Sequence, residues 1–173
     1  MAKFSSLLKG LQILVVDAHA DSRRLLSMFF DLYDITTVEA ASAEEALNIV
    51  NQMSPDLLIS EVRLPDETGY SLVQKVKERF STESKTRGVA CHAEIPAIAL
   101  TCHASKGDRE EAIAAGFSRH VAKPCNLDEL LGVIIELTQP YHRVPLGSSG
   151  TSYALCCEGC SSLKTDSGDT PHF

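Results

Sequence analysis

The chain has 173 residues, 44% of them hydrophobic and 23% charged, enough for one sizeable buried core with extra segments. Its net charge of −7 excludes a broad basic surface for nucleic acid, which needs clustered lysine and arginine against the phosphates. No apolar run nears the roughly 20 residues that span a bilayer. The opening MAKFSSLLKG lacks a signal-peptide apolar core of about 7–15 residues, so a cytoplasmic protein is expected.

Apolar runs alternate with amphipathic segments. Residues 12–16 form a short apolar strand candidate. Asp21 or Ser22 then caps a helix carrying Leu25, Leu26, Phe29 and Phe30 at helical spacing. Residues 35–39 are a second strand. Ser42 and Glu45 stand three apart, as in a capping box, before a helix with Ala46, Leu47, Ile49, Val50 and Met53 near one face. Pro55 and Asp56 open a third strand, 57–61. A helix follows from 70 to 80, with Leu72, Val73, Val76 and Phe80 as its inner stripe. Residues 81–94 are polar and without period, and read as a loop longer than the usual connection of about 4–6 residues.

Residues 95–101 are a fourth strand. The helix 106–115 ends at Gly116, suited to a left-handed cap. Residues 118–122 are a fifth strand, and Asn126 caps a last helix, 128–137. Five strands alternating with five helices imply an α/β fold, a flavodoxin-like doubly wound five-stranded parallel sheet. The expected organisation is an N-terminal extension (1–10), one domain (11–138) and a flexible tail (139–173) rich in Ser, Gly and Cys.

The switch-point rule gathers the carboxyl ends of such strands into one pocket. Four strand ends are polar here: Asp17, Glu61, Thr101 and Lys123. Several further signals agree in order and spacing: ILVVD near the start, PDLLISEVRLPDETGY, ALT at 99–101, AAGF at 114–117 and AKP at 122–124. Together these segments, over about residues 11–138, resemble the receiver domain of two-component response regulators.

The resemblance implies a specific chemistry. In the family, two acids after strand one and an acceptor aspartate at the end of strand three hold Mg²⁺ through oxygen ligands. A strand-five lysine helps offset the charge of the phosphoryl group that the acceptor receives from a histidine kinase. A strand-four Thr or Ser hydrogen-bonds the new phosphate, and a rotating side chain on strand five changes the face that partners read. Here Asp17, Thr101 and Lys123 match, and His120 takes the rotating-switch position. Two positions depart: Ala18 replaces the second acid, and Glu61 replaces the acceptor aspartate. The extra methylene of Glu61 shifts the carboxylate by roughly one C–C bond, and in-line transfer tolerates little misplacement. The expectation is a degenerate, pseudo-receiver form: no enzyme, no resident cofactor, and Mg²⁺ only if the site retains activity. Glu61 then acts as a fixed negative charge paired with Lys123, as an inert relic, or as a poor acceptor.

The resemblance also implies a function through protein partners, a histidine kinase or another signalling protein, with no nucleic acid or membrane involved. The partner face is expected on 105–116, 118–122 and 128–137. The residues after Pro140 are too few and irregular for a winged-helix output domain. Three alternatives stay open. One is a still phosphorylatable response regulator. Another is a small flavodoxin-like enzyme using His19 or His103 near Thr101. The third is a redox or metal sensor on the CCxxC tail, with Cys157 and Cys160 as ligand candidates and His142 and His172 as distant ones. Cys125 reads as a small packing residue. Arg23, Arg24, Lys75, Lys77, Arg79, Lys85 and Arg87 read as ordinary solvated faces.

Overall fold

The computed structural model describes residues 8–86, 95–102, 105–138, 141–145 and 153–157. Five strands lie in one sheet: β1 (Gln12–Val16), β2 (Thr36–Ala40), β3 (Leu57–Ser60), β4 (Ala97–Thr101) and β5 (Arg119–Ala122). Their order is β2-β1-β3-β4-β5 and every pairing is parallel. Between them run α1 (Ala20–Asp31), α2 (Ala43–Gln52), α3 (Gly69–Thr86) and α4 (Lys106–Ala115), and α5 (Leu127–Thr138) follows β5. This is the doubly wound sheet that the alternation of elements predicts.

The sheet separates two apolar layers because successive strand residues point to opposite faces. Ile13, Val15, Leu57, Ile59, Ile98 and Leu100 join Leu26 and Phe30 of α1 and Leu130 and Ile134 of α5 in one layer. Leu14, Val16, Leu58, Ala97 and Ala99 join residues of α2, α3 and α4, among them Val50, Leu72, Val76 and Ala112, in the other. Strands β1, β3 and β4 are apolar on both faces, as a parallel sheet covered on both sides requires.

Several local expectations need correction. The core reaches back past residue 11: Leu8 is fully buried, and Gly10 adopts a positive φ of 78° while its N–H donates to the Asp34 carbonyl at 2.9 Å. Neither Asp21 nor Ser22 caps α1; the cap is His19, which makes no side-chain capping bond. The chain enters the helix earlier because Asp17 Oδ1 accepts the His19 N–H at 2.8 Å and tightens the turn. Of the expected α1 stripe, Leu26 and Phe30 are buried while Leu25 faces solvent.

Ser42 caps α2 by accepting the Glu45 N–H at 3.2 Å, but the Glu45 carboxylate reaches back to the Ala41 N–H at 2.7 Å, one residue beyond a capping box. Helix α3 runs on to Thr86 where a loop was expected, because apolar period marks burial and not helicity. Gly116 closes α4 with a left-handed φ of 117°, and Asn126 Oδ1 accepts the Asp128 N–H at 2.9 Å at the start of α5. In the region expected to be an irregular tail, β6 (Tyr141–Pro145) and β7 (Tyr153–Cys157) pair antiparallel as a separate two-stranded sheet. Among the described residues no helix is long and apolar enough to cross a membrane.

Candidate functional site

The site forms where β1, β3 and β5 end. Asp17 follows β1, Glu61 follows β3 and Lys123 follows β5. Each is fixed by its backbone: the Asp17 N–H donates to Ala40 O at 3.1 Å, the Glu61 N–H to Val16 O at 2.8 Å, and the Lys123 N–H to Thr101 O at 2.8 Å. The Lys123–Pro124 peptide is cis. Gly69, at the start of α3, packs against Glu61, and a Cβ there would lie 2.4 Å from the Glu61 carbonyl oxygen. Its N–H donates to Val62 O at 2.7 Å, which folds the β3–α3 loop back over the strand end.

The Lys123 ammonium bridges both carboxylates. Its Nζ donates to Asp17 Oδ2 at 2.5 Å and to Glu61 Oε2 at 2.9 Å. The other oxygens are also occupied. Asp17 Oδ1 accepts from the His19 backbone and approaches His19 Nδ1 at 3.3 Å, and Glu61 Oε1 accepts the Val62 N–H at 2.8 Å. The three side chains are largely sheltered from water: 4% exposed for Asp17, 10% for Glu61 and 18% for Lys123. Burial pushes the Asp17 carboxyl up, but the Lys123 hydrogen bond and charge and the His19 contacts outweigh it and hold it below the usual carboxylate range. Burial pushes Lys123 down, but the Asp17 and Glu61 hydrogen bonds and charges raise it above the ordinary lysine value.

Thr101 is the last residue of β4 and is buried, and its carbonyl anchors Lys123. His120 lies within β5, half-buried and in register with Ala99. His19 is exposed at the rim, touching Asp17. His103, His172 and Cys160 lie outside the described residues. Cys156 and Cys157 lie in β7, and His142 in β6. Cys125 packs against the core beside α5, and burial pushes its thiol up, as a packing residue requires.

Two contributors escape sequence reasoning. Arg23 is no solvated bystander: its Nη1 donates to the Asp17 carbonyl at 2.6 Å and to the Ala18 carbonyl at 3.3 Å, while Nε pairs with Glu39 at 3.2 Å. One signal was present, an arginine six residues past the strand-end acid, in the first turns of α1. Asp66 in the β3–α3 loop accepts the Ala43 N–H at 3.0 Å and the Glu44 N–H at 2.8 Å, so it caps α2 from a separate loop. Those two backbone bonds hold its carboxyl below the usual range. Partners 22 and 23 residues away leave no local signature.

Receiver domains typically bind Mg²⁺ at this position, an ion that needs several anchored oxygens. The residues present do not fit it. Ala18 is exposed and offers only a methyl group, and an ammonium already sits between the two carboxylates. Among the described residues no group of three or more His, Cys, Asp or Glu is arranged to hold a metal ion.

A doubly wound sheet binds ligands at the carboxyl ends of its strands, which is where this carboxylate–lysine cluster lies. The sequence profile of the response regulator receiver domain matches residues 13–135. The chain belongs to that family. It is 33% identical over 127 residues to an uncharacterized 14.6 kDa protein of Leptolyngbya boryana, covering 73% of this chain and 89% of that one. It is 31% identical over 143 residues to the hybrid signal transduction histidine kinase D of Dictyostelium discoideum, covering 79% of this chain but only 9% of the kinase. The chemotaxis response regulator CheY4 of Vibrio cholerae has a similar structure, with a TM-score of 0.63, 26% identity, and coverage of 75% of this chain and 99% of that one. The chain is thus a receiver domain of two-component signalling, in a family that is generally non-enzymatic.

Proposed function

We propose that this receiver works without the usual phosphotransfer, by binding a protein partner in a two-component or phosphorelay pathway, in the cytoplasm. The observation that carries the reading is the Lys123 ammonium bound to both Asp17 and Glu61. An acceptor carboxylate must be free to attack a phosphoryl group in line, and misplacement of about 1 Å is enough to slow a reaction on the order of a hundredfold. Both Glu61 oxygens are engaged, one by the lysine and one by the Val62 N–H. The Ala18 side chain supplies no metal ligand, and among the described residues the cation hydrogen-bonded to Glu61 is Lys123.

Engagement of the Glu61 charge by Lys123 favours the fixed-charge reading over the inert relic. Receiver domains interact with histidine kinases or phosphotransfer proteins, and one relative of this chain is itself a hybrid histidine kinase. The partner face proposed here comprises α4, β5 and α5, with His120 of β5 as its switch residue and Thr101 as the pocket hydroxyl behind it.

The test is incubation with acetyl phosphate and Mg²⁺, read by intact mass and peptide mapping. The expected result is an unmodified chain, and a stoichiometric phosphoryl adduct on Glu61 overturns the reading. A pull-down then compares wild type with Glu61→Gln. Loss of partner in the Gln variant supports the fixed charge, and equal binding makes Glu61 a relic.

A further inference from the structure

Among the described residues, three of the four exposed large apolar side chains lie on α1 and its C-cap, Leu32. Leu25 is 58% exposed, Met28 61% and Leu32 77%, and the fourth, Ile113 on α4, stands apart at 47%. Positions 25, 28 and 32 form one stripe on an α-helix, spaced three and four apart. The inner face of α1 is already satisfied by Leu26 and Phe30 in the core, so the stripe contributes nothing to the fold of one chain. Arg24 and Asp31, both exposed, stand on this same face two turns apart. Neither makes an ion pair among the described residues.

We infer that this stripe docks a second copy of the chain, α1 against α1, antiparallel about a twofold axis near Met28. An isologous contact must be complementary to itself. Reversing the helix about Met28 brings Arg24 of one copy toward Asp31 of the other, and does so twice. The same operation sets Leu25 beside Leu32 of the second copy and Met28 beside Met28. A parallel arrangement instead opposes like charges. A purely basic or purely acidic partner would satisfy only one of the two ions. A second copy satisfies both while covering the three apolar side chains. One helix per copy is a small interface compared with the roughly 1,200–2,000 Å² of stable complexes, so the dimer is weak and concentration-dependent.

The test is sedimentation of the full chain from micromolar to millimolar concentration at physiological salt. Wild type is expected to shift from monomer toward dimer, and Met28→Glu to remain monomeric. Arg24→Asp and Asp31→Arg are each expected to remain monomeric alone, because each opposes like charges at both contacts. Mixed in equal amounts they regain dimer, since the 24–31 contacts are then both of opposite sign. Circular dichroism checks that each variant folds, which the exposure of the sites favours. A wild type that stays monomeric throughout overturns the inference, as it would if a different protein covers the stripe. So does a dimer that survives Met28→Glu, or a mixture no more dimeric than its two components.

Discussion

The Lys123 ammonium lies 2.9 Å from the Glu61 carboxylate and also binds Asp17, so a single cation is shared by two acids that follow two other strands. A buried carboxylate deprived of its cation is destabilising, typically by about 3–5 kcal/mol. Lys123→Met is therefore expected to lower stability at neutral pH by about 3 kcal/mol, measured by urea unfolding.

The pH dependence of that contribution has a definite sign. The Asp17 carboxyl is held below its ordinary 3.8, so its stabilisation is full above that value and is lost as pH falls through the folded-state value. Lys123 is raised above its ordinary 10.5, so its stabilisation is full below that value and is lost as pH rises through the folded-state value. Wild type should show a plateau between these limits. In Lys123→Met the Asp17 carboxyl loses the hydrogen bond and charge that hold it down while its burial remains, so the loss of stability on acidification should shrink. Urea midpoints across acidic pH for the two proteins read the difference.

Restoring the missing acids should restore the chemistry. The double substitution Ala18→Asp with Glu61→Asp supplies the second metal anchor and shortens the acceptor. It is expected to gain a phosphoryl group from acetyl phosphate in an Mg²⁺-dependent manner, whereas Glu61→Asp alone stays far less reactive. Intact mass with and without chelator reads both outcomes.

Gly69→Ala tests the packing behind Glu61. The added methyl would meet the Glu61 carbonyl oxygen at 2.4 Å, a backbone atom that cannot swing aside. A loss of about 1–3 kcal/mol is expected, as for overpacking elsewhere. The Glu61 and Val62 amide resonances should move with it.

Asp66→Ala removes the two bonds that cap α2 from the loop. A stability loss of about 1 kcal/mol is expected, with faster amide exchange at Ala43 and Glu44. Because the Asp66 carboxyl is depressed, the wild-type advantage should fade as pH drops below its ordinary 3.8.

The sheet was legible because β-branched and leucine runs at 12–16, 57–60 and 97–101 carry no polar break, and only strands buried on both faces read that way. Asp17, Glu61 and Thr101 were legible as the polar residues where those runs stop, and Lys123 from the AKP segment after the shorter, half-buried β5. The extra turns of α3 were not, since Ser81–Thr86 contribute no apolar residue to a stripe. Strands β6 and β7 were obscured by their Gly- and Ser-rich surroundings, although Tyr141, Val144 and Tyr153 are strand-favouring residues. Arg23 and Asp66 were missed for a different reason: their roles depend on backbone groups that only the folded chain brings near.

Lys123 also has a mechanical meaning. Strand β5 is the edge of the sheet, separated from β1 by both β4 and β3. Its last residues are nonetheless tied to Asp17 on the far side of that span. The ammonium acts as a clasp across the rim, so lifting the end of β5 would strand two acids without their counterion. Any partner that grips β5 therefore pulls, through one side chain, on the ends of β1 and β3.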